Sequence, residues 1–223
     1  MGFDLIREGP VFVLTMDAGD NRFNSGSLER IGELLDEVVA AEAPSALVTI
    51  GTGKFYSNGL DLDWAMSDEA DMSFVELAMA TQRFLARTLT FPRPTVAAIN
   101  GHCFAAGAMW SLAHDFRVMR ADRGFFSMPE VDIKIPFTEG MAALIQARLT
   151  PQNALTVMTT AHRYGGTDAA AAGIVDRAVP EDQVRAAAIE LAASLADKDA
   201  TTLAAIKQGM YAKVVAALTG GDG

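Results

Sequence analysis

A single cysteine, Cys103, stands among 223 residues, so no intrachain disulfide can form and a reducing, cytoplasmic compartment is expected. Basic residues are the scarcer charge, 18 against 28 acidic, for a net charge of −10. A nucleic-acid backbone or an anionic membrane as main partner needs a basic face, so both are disfavoured. A local Lys/Arg cluster on a phosphorylated small molecule is still compatible with that balance. Long apolar runs are lacking too. The longest stretch without a charged residue, 95–113, is interrupted by Asn100, Gly101, His102 and Gly107 and is too polar to span a bilayer. Residues 1–8 carry two acids and no apolar segment, so no signal peptide is expected there. The only histidines, His102, His114 and His162, are too scattered for metal-ligand spacing, and no metal site is expected.

What is present is ordinary globular composition. Half of the chain is apolar and 21% is charged, enough to bury a large core in one substantial domain. Val11–Met16 reads as a strand, broken by the turn residues 17–21. From Ser27, Leu28, Ile31, Leu34, Leu35, Val38 and Val39 recur at helical spacing, with Ser27 as the expected cap. Ala46–Ile50 and Thr95–Ile99 are short, nearly all-apolar strands of the kind buried on both faces, with a helix over roughly 73–89 between them. This alternation predicts parallel pairing through right-handed crossovers. Phe116–Arg120 reads as a further strand. Helices are expected over 138–148, 151–160, 181–196 and 201–218. The class is α/β at the front and helical at the back.

Several nucleotide and nucleophile motifs fail. Gly53-Lys54 has Val48 where a Walker A loop needs its first glycine, and no third glycine completes a dinucleotide fingerprint. No serine is flanked by glycines as in a nucleophile elbow. Two glycine-containing loops remain, 53–62 and 98–107, each directly after a buried strand. Strand ends of one parallel sheet open onto the same edge, where ligands of α/β folds collect. Small residues there let backbone N–H groups approach a ligand, and a helix starting at Gly107 adds positive potential. Two such loops can hold one oxygen between two amides; plain turn chemistry with close helix packing is the other reading.

At these residues the sequence resembles the enoyl-CoA hydratase/isomerase (crotonase) superfamily. Phe55-Tyr56-Ser57-Asn58-Gly59-Leu60-Asp61-Leu62 resembles the family's first oxyanion loop, and Asn100 to Gly107 its second. Met128-Pro129-Glu130-Val131-Asp132-Ile133 resembles the segment that carries a catalytic glutamate, and 169–180 the stretch that closes the core. The wording Ser-Asn-Gly-Leu-Asp-Leu and Glu-Val-Asp-Ile-x-Ile-Pro-Phe is most similar to the Δ3,Δ2-enoyl-CoA isomerase branch. The resemblance implies a crotonase-like spiral of ββα turns with a helical C-terminal part. Residues 1–180 would be the acyl-CoA-binding core, and 181–223 a helical segment for trimerisation and closure. A homotrimer or dimer of trimers is implied.

It also implies site residues. The amides of Asn58 and Ala106 would form an oxyanion hole, with alanine at 106 where glycine is usual. Hydratases of the family hold two glutamates; here those positions are Met109 and Glu130. Splitting water asks for two polar groups, whereas shifting a double bond asks for one base. A lone carboxylate opposite Met109 therefore favours isomerisation, and burial beside Phe126, Met128 and Met109 predicts a raised pKa for Glu130. Glu139 is the rival base; its other role is a first-turn acid on a helix. Phe23, Asn24, Ser57, Gly59 and Leu60 are expected around the coenzyme A. Asp61 lies in that loop with a turn or cap as its other role. Arg22, Lys54, Lys207 and Lys213 are candidate phosphate contacts. Trp64, Met66, Phe74, Leu77, Met109 and Phe137 are candidates along the acyl chain. No separate cofactor is implied, because the CoA is part of the substrate. A hydratase using Glu130 with Glu139 and a non-catalytic acyl-CoA-binding subunit stay open as alternatives.

Overall fold

Two strands open the chain, β1 (Phe3–Glu8) and β2 (Val11–Met16), turned at Gly9-Pro10 and paired antiparallel. The computed structural model describes residues 2–220; Met1 and 221–223, the end of the expected C-terminal segment, lie outside the described residues. α1 (Ser25–Ala40) follows, buried along Ile31, Leu34, Leu35 and Val38. Its cap is Asn24 rather than Ser27: the Asn24 side chain accepts from the Ser27 N–H, and Ser27 Oγ accepts from the Asn24 N–H. Ser27 is thus the far half of a capping box.

Three ββα turns come next. β3 (Ala46–Gly51) and β4 (Phe55–Ser57) lead to α2 (Leu62–Ala65) and α3 (Phe74–Leu89). β5 (Thr95–Ile99) and β6 (His102–Phe104) lead to α4 (Ala106–Ala113). β7 (Phe116–Arg120) and β8 (Phe126–Ser127) lead to α5 (Glu130–Ile133) and α6 (Glu139–Arg148). α7 (Pro151–Thr160), α8 (Gly166–Ala171), β9 (Arg177–Val179), α9 (Val184–Ala193) and α10 (Ala200–Thr219) complete the chain. The first strand of each turn joins a six-stranded sheet in the order β1-β2-β3-β5-β7-β9, parallel from β2 onward. The second strand of each turn joins a small parallel sheet, β4-β6-β8. These short strands were not evident from periodicity, because two or three residues are too few to show it.

The residues of β3 and β5 are buried on both faces, as their nearly all-apolar runs predict. One face packs on α1, α3, α4 and α6 around Trp110, Phe23 and Leu85. The other is covered by α9 through Val184, Ala188, Ala192 and Ala196, so the chain beyond 180 supplies half of the sheet's cover. α10 lies against α3 and α6. Among the described residues, no helix is long and apolar enough to cross a membrane.

Candidate active site

The small sheet builds the site. β4 and β6 run parallel with Phe55 opposite His102 and Ser57 opposite Cys103, so the segments leaving them, 58–62 and 105–107, emerge side by side. β8 pairs with β6, Phe126 opposite Cys103 and Ser127 opposite Phe104, and delivers Pro129 and Glu130 to the same place. A cavity of about 360 Å³ opens there. Leu60, Phe74, Ala106, Met109, Glu130 and Met141 are among its lining residues, with Arg22 and Asp63.

The first loop is stapled from below. Asn21 donates from Nδ2 to the Phe55 and Tyr56 carbonyls, at 3.1 and 3.2 Å, and its own carbonyl accepts from Ser57 Oγ at 2.7 Å. Ser57 Oγ in turn accepts from the Gly59 N–H at 3.2 Å. Phe23 N–H donates to the Gly59 carbonyl, and Asp61 N–H to the Phe23 carbonyl. Gly59 is required here: its φ is +81°, and a Cβ would stand 2.8 Å from Ala105 Cβ and 3.1 Å from Ala106 N.

These bonds decide which amides are free. The Asn58 N–H donates to the Asp20 carbonyl at 2.9 Å, so it cannot serve the hole that the resemblance assigns to it. Among the described residues the Leu60 N–H has no acceptor, and neither has the Ala106 N–H. On the first loop the free N–H therefore lies two residues beyond Asn58, just past the left-handed glycine. Ala106 opens α4, whose N-terminus has no side-chain cap and is buried at the cavity. Uncapped N–H groups of a helix start favour negative charge. The departure from glycine at 106 carries no strain; the strained residue is Ala105, at φ +49° and ψ −126°.

Glu130 is the first residue of α5, 7% exposed, with Oε2 buried and without a hydrogen-bond partner among the described residues. Loss of hydration pushes its pKa up from 4.5 to about 7, while its own backbone N–H pulls the other way. Met109, buried on α4, lines the same cavity. Glu139 is exposed at the start of α6 and does not line the cavity, so its first-turn role is the one the structure supports. Asp63 reaches the cavity but is paired with Arg22 at 2.6 Å.

Other expected contacts divide. Phe23 is fully buried between Phe84 and Trp110, so its ring cannot face a ligand, and Asn24 is occupied in capping α1. Ser57 and Gly59 shape the loop from beneath rather than lining the cavity, and Asp61 caps α2 by accepting from Trp64 N–H. Phe137 packs against the main core outside the lining, Leu77 is buried, Trp64 is outside the lining, and Met66 is 78% exposed. Phe74 does line the cavity. Lys207 is buried, donating to the Phe91 and Arg93 carbonyls and paired with Asp115 at 2.6 Å, so it is no phosphate ligand. Lys54 lies over the Phe55 ring and Lys213 is exposed. Among the described residues no group of three or more His, Cys, Asp or Glu side chains stands together as a metal-holding cluster.

The Enoyl-CoA hydratase/isomerase family profile matches residues 7–221. The chain belongs to that family. It is 35% identical over 216 residues to enoyl-CoA delta isomerase 3 of Arabidopsis thaliana, covering 93% of this chain and 91% of the relative. Carnitinyl-CoA dehydratase of Salmonella typhi is 30% identical over 207 residues, covering 92% of this chain and 78% of that one. Among solved structures, an apo Mtb enoyl-CoA isomerase superposes with a TM-score of 0.89 at 24% identity, over 98% of this chain and 94% of that one. An enoyl-CoA hydratase of Mycobacterium ulcerans Agy99 superposes with a TM-score of 0.90 at 25% identity, over 99% of this chain and 96% of that one. These neighbours carry both the isomerase and the hydratase name, so the shared fold does not separate the two activities, and only the site can.

Proposed function

We propose that the chain is an enoyl-CoA isomerase that moves a Δ3 double bond to Δ2. The observation that carries this reading is that Glu130 is the one buried carboxylate among the described residues: it lines the cavity with a pKa of about 7, and apolar Met109 lines the same cavity. The relatives named enoyl-CoA delta isomerase, at 33–35% identity, support it. The thioester carbonyl oxygen of a 3-enoyl-CoA accepts from the Leu60 and Ala106 amides. Glu130 removes a proton from C2, and the C2–H electron pair forms the C1=C2 bond of a dienolate, with charge on the oxygen. As that charge returns, C2=C3 forms, the C3=C4 pair takes the proton from Glu130 at C4, and the carboxylate is regenerated. Each amide donor contributes about 3 kcal/mol to the transition state in sites of this kind. A base with pKa about 7 both accepts and returns a proton readily at neutral pH.

A hydratase would need a second polar group on the water. Glu139 is exposed outside the cavity and Asp63 is held by Arg22. Within this proposal the coenzyme A belongs to the substrate and no further cofactor takes part. The trimeric assembly and the placement in a reducing compartment, with Cys103 buried and unpaired, belong to the same proposal. Turnover of 3-hexenoyl-CoA and crotonyl-CoA, measured side by side, tests it. Conversion of the first without hydration of the second is expected. Hydration of crotonyl-CoA at a comparable rate overturns the single-base reading.

A further inference from the structure

One proposed oxyanion donor, Leu60, sits on a loop and the other, Ala106, on the first turn of α4, and a hole of this kind works only if its donors are held to about half an ångström. At the start of α4 the hold is steric, because Gly107 lies directly on Ser57. The other end of α4 is held by a chain of hydrogen bonds that the chemistry above does not use. Tyr56 Oη and Thr49 Oγ1 are 2.8 Å apart, Thr49 Oγ1 and His114 Nε2 3.0 Å, and His114 Nδ1 and the Trp110 carbonyl 2.8 Å. All four residues are fully buried.

The direction of every bond follows from elementary accounting. The Trp110 carbonyl has no proton to give, so His114 Nδ1 carries the hydrogen and donates to it. Burial among Arg117, Lys207 and Arg148 drives the His114 pKa down to about 3, so the ring is neutral and Nε2 is an acceptor. Thr49 must then spend its one hydroxyl proton on Nε2, and Tyr56 must donate to Thr49 Oγ1. The Trp110 carbonyl is one of the orphan acceptors at the C-terminal end of α4. The N–H that would normally reach it, that of His114, goes to the Ser111 carbonyl instead. The chain therefore runs from β4, one residue before Ser57, through β3 to the last turn of α4. It ties the strand that launches the first loop to the helix that begins at Ala106. Stacking adds to it: the Tyr56 and Trp110 rings lie 5.7 Å apart.

We propose that Tyr56, Thr49 and His114 are positioning residues that fix the angle of α4 against β4, and so the separation of the Leu60 and Ala106 amides. The proposal rests on the oxyanion hole inferred above. Tyr56→Phe removes one link while keeping the ring. Thr49→Val breaks the chain, and Thr49→Ser keeps it.

Two readouts separate positioning from folding and from the isomerase reading itself. On 3-hexenoyl-CoA, Tyr56→Phe and Thr49→Val should lower kcat roughly tenfold with KM held within about twofold, and Thr49→Ser should return kcat close to wild type. With 2,4-hexadienoyl-CoA as the probe, the absorption band of the bound thioester moves to longer wavelength as its carbonyl is polarised. Thr49→Val should shrink that shift while the probe still binds, and Thr49→Ser should restore it. Wild-type protein that shifts the band but isomerises nothing contradicts the isomerase reading; loss of the shift in Thr49→Val would still uphold the positioning role. Thr49→Val with an unchanged shift and unchanged kcat overturns the inference, even if the variant melts at lower temperature. A wild-type protein that binds the probe without any shift overturns it as well.

Discussion

Gly107 lies on Ser57 so closely that a Cβ at 107 would stand 2.7 Å from the Ser57 Cβ, carbonyl oxygen and Oγ. That contact sets α4 against the strand that launches the first loop. Gly107→Ala forces the helix away from β4, and overpacking of this kind costs about 2–3 kcal/mol. Because the displaced element carries the Ala106 amide, kcat on 3-hexenoyl-CoA should fall in the protein that remains folded. Thermal melts and kinetics on the same preparation check both.

Glu130 costs the protein stability at the pH where the proposed base is deprotonated. In the unfolded chain its carboxyl titrates near 4.5, whereas in the folded chain it holds its proton up to about 7. Between these values the folded state binds more protons, so stability falls as pH rises through the window. Glu130→Gln should match wild type at pH 4 and be more stable by on the order of 3 kcal/mol at pH 8. Denaturant titrations at the two pH values measure this. The activity has the opposite slope. The proposed base works deprotonated, so kcat/KM should rise with pH through about 7 and level off above it.

Ala106 is the first residue of α4, the one helical position where proline is tolerated because its N–H is unsatisfied by the helix. Ala106→Pro deletes a single proposed donor. The expected result is a loss of roughly 10²–10³ in kcat, the size seen for one oxyanion donor. Full activity in a folded Ala106→Pro protein would show that this amide does not hold the oxyanion.

Lys207 tests the boundary between site and scaffold. It is buried on α10 and pairs with Asp115, with burial lowering its pKa and Asp115 raising it. Lys207→Met leaves Asp115 without its cation and should cost about 3 kcal/mol of stability. The KM for an acyl-CoA should be unchanged, since the ammonium does not reach a ligand.

Much of this was legible in the residues. The nearly all-apolar runs 46–50 and 95–99 are buried strands, and the glutamate after Met128-Pro129 is a buried carboxylate with the raised pKa that its apolar neighbours predict. What was not legible depends on backbone paths. Asn58 precedes the left-handed Gly59 and spends its N–H on Asp20, which leaves Leu60 as the free donor. A shift of two residues along the loop decides such a matter, and composition is silent on it. Asn21 reads as turn chemistry, yet its side chain staples the first loop from 34 and 35 residues away. Lys207 reads as a candidate phosphate contact because its partner, Asp115, lies 92 residues off in the chain. A phenylalanine before a helix, such as Phe23, looks available to a ligand until long-range packing encloses it with Phe84 and Trp110.

The central claim is that one buried glutamate does the chemistry. It is tested most directly by the turnover of 3-hexenoyl-CoA by Glu130→Gln and Glu139→Gln beside wild type. Glu130→Gln should lose nearly all isomerisation while still binding the thioester, and Glu139→Gln should retain it. Full activity in Glu130→Gln, or its loss only in Glu139→Gln, would contradict the account and move the base to the exposed start of α6.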